Sequence, residues 1–442
     1  MGLMLRFALS IGLVICATAG LAAASVPAVQ VERDVTPSFF GVHFHRLRLM
    51  PNEKAVPTRW PPLRFGYLRL WDSHTRWADL EPEPGQWQFE RLDHYVAEAE
   101  RRGVKVLLTL GSTPRWASQR PQEPCSYWPS GCAAPPSAMA DWANYVRVLA
   151  NRYRGRICCY ELWNEPDFSG PPASAGRPVG FFSGGVDDMV EMTRVAHEVL
   201  READPEAKLF GPGFVNGVGN RLAPYLRAGA GVYLDGIAYH FYAWYDEARL
   251  LKEIDEVRAL MVREGLSHLP LWSTEAGVEV FAQAEALPAG AYRRVSRTEA
   301  AAMLTRQIVL AAAAGIDAYF YYAWDNDRSG MVDRAGRPLP AYDAMLLVQR
   351  WLIGTRLLGC ELTRGRATVC RGVQDDSPIA IVWNAHDDGV TTVPVPAGQR
   401  VVSRQYAVPG WPVAGNDGAP PADVFHAAPN PAFYVLEEIP LQ

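Results

Sequence analysis

The feature that most constrains this chain is a repeated alternation between short apolar runs and longer amphipathic stretches. The apolar runs are rich in β-branched and aromatic residues, as strands are, and the stretches between them have helical periodicity. The predicted strands are 41–45, 66–71, 104–110, a run ending at Glu165, 207–211, 236–240, a run ending at Glu275, and 318–324. The predicted helices are 91–102, 137–153, 186–202, 221–227, 248–264, 297–314 and 339–352. Eight such units in sequence predict an α/β fold, one (β/α)8 barrel of the TIM type.

The residue pattern of the sequence changes after about Gly354. Helical periodicity fades, and short alternating runs appear at 367–371, 379–383 and 392–395, punctuated by Gly and Pro. This pattern predicts a small C-terminal β-sandwich domain. We therefore assign 25–353 to the barrel and 354–442 to the β domain, with segment 28–32 as a candidate extra strand of the latter.

The first 24 residues have the features of an export signal. A short segment with one positive charge precedes an apolar run, and Ala22-Ala23-Ala24 before Ser25 suits a signal-peptidase site. The run is about 18 residues long, which is also enough for a membrane anchor. We expect an exported protein that is periplasmic, tethered to the inner membrane, or extracellular.

The overall composition excludes some classes of partner. The formal net charge is −5, with 43 Lys and Arg against 48 Asp and Glu, so the chain lacks the basic excess typical of nucleic-acid binders. The 14 Trp and 18 Tyr fit a protein that packs aromatic rings against sugars as well as in its core. We expect a monomer that acts on a polysaccharide or oligosaccharide and needs no cofactor or metal.

The cysteines predict two local disulfides. Cys125 and Cys132 lie seven positions apart in a Pro-rich loop, and Cys360 and Cys370 flank a candidate turn at 364–366. In an oxidising compartment both pairs can close. Adjacent residues of a strand point to opposite faces, so we interpret Cys158-Cys159 as free core thiols.

Two glutamates end predicted strands and are the candidate catalytic residues. Glu165 follows Asn164 where strand four ends, and Pro166 is expected to hold Glu165 extended. Glu275 ends strand seven before Gly277. In a parallel barrel these positions lie at the catalytic end, and two carboxylates there are the smallest set of catalytic groups for glycoside hydrolysis. Glu165 would be the acid and then the base, and Glu275 the nucleophile.

Other polar and aromatic side chains near strand ends are candidates for substrate binding or support: His45, Arg69, Asn164, His240, Tyr242 and Trp324. Tyr242 and Arg69 would hydrogen-bond Glu275 and lower its pKa, whereas Glu165 needs a raised pKa. Asn164 would hold the sugar 2-hydroxyl, and Trp324 would be a stacking floor.

Structural explanations remain open for several of these residues. Arg69 could pair with Asp72, His240 could be a hydrogen-bonded core histidine, and Trp324 could be packing. Glu161 shares the inward or outward sense of Glu165 one layer deeper, where it would either face elsewhere or support the site from below.

Taken together, Trp163-Asn164-Glu165-Pro166, His240-Phe241-Tyr242 and Glu275 resemble the retaining (β/α)8 glycoside hydrolases of clan A. The strand-one Gly41-Val42-His43 and the C-terminal β domain are similar to family 39. The resemblance implies that Glu165 is the acid/base, Glu275 the nucleophile, and His240 and Tyr242 the contacts to substrate and nucleophile. The long loops 118–136 and 169–185 depart from the family's xylosidase pattern, which favours internal cleavage of an exopolysaccharide of the biofilm-matrix type.

Two rival functions remain at this point. One is a carbohydrate-binding barrel without catalysis that assists polysaccharide export. The other is a metal-dependent barrel amidohydrolase, for which the alternate histidines His43 and His45 are the sole support.

Overall fold

The computed structural model describes residues 32–49, 56–126, 129–168, 170, 180–243, 246–281, 294–363, 367–385, 389–411, 413 and 421–439. The predicted export signal, most of segment 28–32 and the predicted turn at 364–366 lie outside these residues.

After a short strand, β1 (Arg33–Asp34), the chain forms a nine-stranded parallel sheet. Its strands are β2 (Phe40–His43), β3 (Tyr67–Leu70), β4 (Lys105–Leu110), β5 (Cys159–Leu162), β6 (Lys208–Phe210), β7 (Phe214–Val215), β8 (Ile237–His240), β9 (Leu271–Ala276) and β10 (Ala318–Tyr321). The sheet order is β6-β5-β4-β3-β2-β10-β9-β8-β7. The two end strands, β6 and β7, are consecutive pieces of one barrel strand, and a parallel bridge from Phe210 to Gly236 joins β6 to the start of β8. The sheet therefore closes, and the predicted (β/α)8 fold is confirmed.

Helices cover the outside of the barrel. They are α1 (Trp77–Leu80), α2 (Glu90–Glu100), α3 (Met139–Arg152), α4 (Val186–Ala203), α5 (Ala223–Arg227), α6 (Glu247–Arg263), α7 (Arg297–Ala313) and α8 (Pro340–Leu352). Most bury one face, as α6 does with Leu250, Ile254 and Val257. Helix α7 is buried on every side from Ala300 to Ala313, because it packs against α6, α8 and a strand of the C-terminal domain. None of the helices in the described ranges has the length and apolar character needed to span a bilayer.

The C-terminal strands are antiparallel and form two sheets, as a sandwich requires. They are β11 (Thr355–Leu362), β12 (Thr368–Gln374), β13 (Ser377–Trp383), β14 (Thr391–Pro394), β15 (Gln399–Tyr406), β16 (Val424–Ala427) and β17 (Ala432–Glu438). One sheet has the order β1-β11-β12-β13-β17-β15, and the other pairs β14 with β16. Side chains such as Val369, Phe425 and Leu436 form a core that both sheets share. The segment before the barrel thus contributes a strand here, at 33–34.

The β domain is joined to the barrel by aromatic and polar contacts. Trp351 of α8 stacks on Phe433 of β17, with ring centroids 5.5 Å apart, and its Nε1 donates to Gln405. Trp383 of β13 donates to Glu247 at the start of α6. These contacts brace the outer helices of the barrel.

The structure pairs the cysteines in three local disulfides among the described residues. Cys125 is bonded to Cys132, and Cys360 to Cys370, which lie opposite each other on β11 and β12. The interpretation of Cys158 and Cys159 as free thiols is wrong, because their sulfurs are bonded to each other. Cys158 lies just before β5 begins, so the strict alternation of strand side chains does not apply to it.

Candidate active site

The carboxyl ends of the barrel strands bring polar side chains into the barrel interior. Successive strand residues alternate between inside and outside. The inward positions near the ends of five strands carry His43, Arg69, Thr109, Glu161 and His240. All five are fully buried, at 0% exposure. An interior layer of this polarity is stable where its members satisfy one another's hydrogen bonds.

A β-bulge in β9 sets the direction of Glu275. Trp272 faces Ala238 of β8 in register, yet His240 is paired with Glu275, so one residue of β9 is skipped between them. The same shift appears against β10. Without the bulge, Glu275 would point to the outside, three positions after the inward Trp272. The sequence pattern alone does not reveal this extra residue.

His43 secures the bulge. Its Nε2 lies 3.0 Å from the Thr274 carbonyl, which belongs to the bulged segment. Burial and the neighbouring Arg69 hold the pKa of His43 well below its usual range. A neutral imidazole can donate through Nε2 to this carbonyl, so His43 supports the strand that carries Glu275.

Glu165 lies on a tight turn after β5. Its φ angle is 47°, and that of Trp163 is 57°, both in the left-handed region. The expectation that Pro166 holds Glu165 extended is therefore wrong. The Glu165 amide donates to the Gly213 carbonyl at 2.9 Å, and Asn164 bridges to Gly213 as well. These contacts with the next barrel strand fix a backbone conformation that is otherwise unfavourable for a residue with a side chain.

Arg69 connects the polar groups at the bottom of the site. Its Nε donates to Glu161, its Nη1 to Glu275 and its Nη2 to Asn164, each at 2.8 Å. The alternative pairing of Arg69 with Asp72 is not the one the structure shows. Glu161 also accepts a hydrogen bond from Thr109 at 2.7 Å, so it supports the site from below.

Glu275 is held by two donors on its two oxygens. Arg69 Nη1 donates to Oε2, and Tyr242 Oη donates to Oε1, both at 2.8 Å. The side chain is 9% exposed. Burial raises the pKa of Glu275 and, with the nearby Glu165 carboxyl, outweighs the opposing influence of His240 and Arg69. The expectation of a lowered pKa is thus wrong in direction. The two donors still favour the charged form, so the pKa of Glu275 is lower than burial alone would make it.

Glu165 has a different environment. Its Oε1 lies 2.8 Å from His240 Nδ1, and no described donor occupies Oε2. Burial raises the pKa of Glu165 to about 7, against a lowering effect of Arg69. A carboxyl group with this pKa is protonated in weakly acidic solution and can act as an acid.

Arg69 determines the tautomer of His240. Burial lowers the pKa of His240 to about 4, so the ring is neutral near pH 7. Its Nε2 lies 3.4 Å from Arg69 Nη2, which can only donate. Nε2 must then accept, and Nδ1 carries the proton that is donated to Glu165. His240 therefore orients the Glu165 carboxyl, with Oε2 left for another partner.

The two glutamates are close together. One carboxylate oxygen of Glu165, one of Glu275 and one nitrogen of His240 lie within 4.8 Å of one another. Such a group has the composition of a cation site. The guanidinium of Arg69 already supplies a positive charge to Glu275, and Glu165 is engaged with His240. We interpret the group as a hydrogen-bonded network.

Asn164 has its amide orientation fixed by the same arginine. Its Oδ1 accepts from Arg69 Nη2, which leaves Nδ2 as a donor. This is the orientation required for the predicted contact with a sugar hydroxyl.

Gly213 is part of the site but was not predicted. A Cβ atom at this position would lie 2.3 Å from His240 Nε2. Its carbonyl also accepts from the Glu165 amide. The signal in the sequence is the Gly211-Pro212-Gly213 interruption of the fifth strand, which we interpreted as an ordinary strand end.

The predicted stacking role of Trp324 does not agree with its position. The side chain is 5% exposed and packs against Phe44 and Tyr342. The inward position at the end of β10 belongs to Tyr322, two residues after Phe320. Tyr322 Oη donates to Asp72 at 2.5 Å.

His45 is near the site but outside the Arg69 network. Its Nε2 lies 3.1 Å from Asp72 Oδ2, and 20% of its side chain is exposed. Together, Glu165, Glu275, Asn164, His240, Tyr242 and Arg69 are brought into one network, with His45 on its border.

Two long loops lie beyond the same ends of the strands. Loop 118–136 follows β4, and the described part of 169–185 follows β5. Arg120 Nη2 donates to Ser183 Oγ at 2.7 Å, and Trp163 Nε1 donates to Phe181. The two loops thus contact each other, and the second also contacts Trp163, two residues before Glu165.

Comparisons with known proteins agree with this geometry. Residues 70–214 match the glycosyl hydrolase family 10 model, a segment that contains Glu165 and ends before Glu275. An endo-1,4-beta-xylanase 2 of Claviceps purpurea is 29% identical over 130 residues. That match covers 29% of this chain and 36% of the xylanase, so it spans about a third of that protein.

Solved structures share the fold over nearly the whole chain. A family 39 glycoside hydrolase of Bacteroides cellulosilyticus has a TM-score of 0.63 at 20% identity, over 92% of this chain and 82% of its own. A glucosidase of Croceicoccus marinus has a TM-score of 0.61 at 15% identity, over 93% and 98%. A GH30 endoxylanase of Clostridium papyrosolvens has a TM-score of 0.59 at 13% identity, over 92% and 98%. At these identities the similarities show a shared fold.

Proposed function

We propose that this protein is a retaining glycoside hydrolase with Glu165 as acid/base and Glu275 as nucleophile. The observation that carries the proposal is the 4.8 Å limit on the separation of their nearest oxygens. Retaining glycosidases place the two carboxyl groups about 5–5.5 Å apart, whereas inverting enzymes leave about 6.5–9.5 Å for a water molecule.

In the first step, Glu275 attacks the anomeric carbon as the bond to the leaving oxygen breaks. Glu165 donates its proton to that oxygen, and a glycosyl ester of Glu275 forms. Arg69 and Tyr242 hold the Glu275 oxygens at 2.8 Å and fix the direction of attack. His240 holds Glu165 Oε1, so the Oε2 atom delivers the proton.

In the second step, water replaces the departed group. Glu165, now ionised, removes a proton from the water, which attacks the anomeric carbon and releases Glu275 as a carboxylate. Arg69 and Tyr242 stabilise this carboxylate as it re-forms. Two inversions restore the original anomeric configuration.

The substrate is proposed to be an exopolysaccharide cleaved internally. The long loops that contact each other beyond the ends of β4 and β5 support an extended cleft. The Claviceps relative is described as an endo-acting xylanase. The predicted export signal and the overall length also favour a finer likeness to PslG, a family 39-like hydrolase made with a biofilm exopolysaccharide. We propose that the protein acts outside the cytoplasm.

The test is the configuration of the first product. Aryl glycosides of neutral sugars and neutral polysaccharides are screened, and hydrolysis of an active substrate is followed by proton NMR. We expect the first-formed anomer to match the substrate, and a rapid fall in polymer length relative to new reducing ends. Inversion would overturn the mechanism, and tight binding without hydrolysis would favour a carbohydrate-binding barrel.

Two variants complete the test. Glu275→Gln should lower kcat by about 10⁴-fold or more, since it removes the nucleophile. Glu165→Gln should lower it by about 10²–10⁴-fold on a substrate with a poor leaving group. Glu198→Gln, on the outer face of α4, is the matched control. Wild-type activity in both site variants would contradict the assignment.

A further inference from the structure

A second polar cluster lies beside the catalytic pair. His45 follows β2, Asp72 follows β3 and Tyr322 follows β10. Asp72 Oδ2 accepts from Tyr322 Oη at 2.5 Å and lies 3.1 Å from His45 Nε2. The rings of His45 and Tyr322 are 5.2 Å apart. Three adjacent barrel strands, two from the start of the barrel and one from its end, therefore build one cluster.

The order of strands places this cluster on the side of Glu275. Strands β2, β3 and β10 are neighbours in the sheet, and β9 with Glu275 adjoins β10. The Tyr322 amide donates to the carbonyl of Ala276, directly after Glu275. Glu165 follows β5, on the opposite side of the barrel mouth. A sugar attacked by Glu275 would thus lie between the catalytic pair and the cluster.

The cluster has unused hydrogen-bonding capacity. His45 Nε2 lies 3.1 Å from Asp72 Oδ2 but in an orientation that makes no hydrogen bond, and none of the hydrogen bonds among the described residues uses Nδ1. Asp72 Oδ1 is buried without a donor from the described part of the chain. A buried acceptor in this state costs free energy, which a hydroxyl group reaching it would offset. About a fifth of each side chain is exposed, at 20% and 21%.

The two charges of the cluster neutralise each other. Burial lowers the pKa of His45, but the Asp72 carboxylate outweighs it and raises the value to about 9. His45 in turn holds the pKa of Asp72 below its usual range, against the effect of burial. A protonated His45 donates through both nitrogens. The pair therefore offers one N–H donor and one carboxylate acceptor without a net charge.

We propose that His45, Asp72 and Tyr322 form a recognition site for the sugar attacked by Glu275, and that this sugar is neutral. The proposal rests on the proposed glycosidase function and extends it to a substrate class. Asp72 accepts from a ring hydroxyl at carbon 3 or 4. His45 donates to the neighbouring oxygen, which is either a hydroxyl or the glycosidic oxygen of the preceding sugar.

Charge pairing favours a neutral sugar. Arg69 is committed to Glu161 and Glu275, and His45 to Asp72. A uronic acid or a sulfated sugar at this place would add a negative charge beside Glu275 and Asp72, whose cations are already paired. Like charges brought this close disfavour binding.

The probes are 2,4-dinitrophenyl glycosides of D-glucose, D-mannose and D-galactose. The one hydrolysed fastest is compared with its 3-deoxy and 4-deoxy forms, in the wild type and in Asp72→Asn. In the wild type, loss of the recognised hydroxyl should lower kcat/KM by about 10- to 100-fold. In Asp72→Asn the parent substrate should already be slower by a similar factor, and the deoxy form should lose less than about threefold more. A merely structural effect of the substitution would slow both substrates equally.

Tyr322→Phe provides a second, milder variant, because it keeps the ring and removes one donor to Asp72. It should show the same loss of discrimination to a smaller degree. Asp93→Asn is the matched control: Asp93 also accepts from a tyrosine, Tyr153, but on the outside of the barrel. It should leave kcat/KM within about twofold.

The outcomes separate this proposal from the proposed function. Undiminished discrimination in Asp72→Asn, or faster hydrolysis of a glucuronide than of the matched glucoside, would overturn the recognition site and leave the glycosidase function standing. Labelling of Glu275 by a 2-deoxy-2-fluoro glycoside would show that the chemistry is intact. Absence of both labelling and hydrolysis in the wild type would overturn both proposals.

Discussion

The barrel interior has two layers that differ in chemistry although the same strands build them. The lower layer, near the amino ends of the strands, is mainly apolar and contains Leu107, Cys159, Phe210, Ala238, Trp272, Ala318 and Phe320. The upper layer lies about two residues further along and contains His43, Arg69, Thr109, Glu161, His240, Glu275 and Tyr322. One inward step, about 7 Å along a strand, separates a packed core from a network of charges.

The contrast separates stability from catalysis. The lower layer is held by contacts such as the stacking of Trp272 on Phe210, with centroids 4.0 Å apart. The upper layer buries Arg69 and Glu161 completely, and buried ion pairs seldom stabilise a fold by themselves. We infer that the lower layer supports the barrel and that the upper layer is retained for its chemistry. Substitutions in each layer test this division.

Among substitutions that keep both catalytic glutamates, the largest effect is expected from Arg69→Lys. Lysine keeps the charge but cannot donate to Glu161, Glu275 and Asn164 at once, as the planar guanidinium does. We expect kcat to fall by about 10²-fold or more, with a smaller change in KM, measured on an active aryl glycoside. Arg152→Lys, which alters an exposed pair with Asp93, is the control. Near-normal turnover in Arg69→Lys would contradict the inference that the upper layer is retained for its chemistry.

The pH profile of Glu165 gives the next effect. Since its folded pKa is about 7, the acid form is lost as pH rises through 7, and kcat/KM should fall tenfold per pH unit above that point. On a substrate with a poor leaving group, which needs the acid, the residual activity of Glu165→Gln should lack this alkaline limb. The midpoint pH of this limb should change if His240 is replaced by Asn. An unchanged profile in Glu165→Gln would assign the titration to another group.

The same raised pKa predicts an effect on stability. A carboxyl group whose pKa is raised by folding destabilises the protein once pH exceeds the unfolded value, and the effect is complete above the folded value. Glu165→Gln should therefore be more stable than the wild type at pH 8, by about 1–3 kcal/mol, and equally stable at pH 4. Urea unfolding at both pH values measures this. Equal stability at pH 8 would mean that burying the Glu165 carboxyl group carries no such cost.

The repeating pattern predicted the barrel because each strand and helix follows from local periodicity. Strand ends also located Glu165, Glu275 and His240, since all parallel strands deliver their carboxyl ends to one mouth. Details that depend on single-residue register were missed. These details are the bulge before Glu275, the left-handed turn at Glu165, and the inward position after β10, which is held by Tyr322 and not by Trp324. They arise from pairing between distant strands, which the periodicity of the sequence does not contain.

Gly213→Ala tests one of these missed contacts and should have a moderate effect. The added methyl group would lie 2.3 Å from His240 Nε2, so the ring must shift and loosen its hold on Glu165. We expect about a tenfold fall in kcat on substrates that need the acid and little change on dinitrophenyl glycosides. Gly231→Ala, which would crowd only Leu266 away from the site, is the matched control. Equal losses on both substrates would indicate general distortion.

The smallest change in turnover is expected from Trp272→Phe in the lower layer. The smaller ring leaves a gap against Phe210 and Tyr67, so the free energy of unfolding should fall by about 1–3 kcal/mol. Because Glu275 lies beyond the bulge, its contacts with Arg69 and Tyr242 need not move, and kcat should stay within about threefold. Urea unfolding and initial rates on the same preparation give both quantities. If kcat fell in proportion to stability, the two layers would be one mechanical unit, and the bulge would transmit strain from Trp272 to Glu275 instead of isolating it.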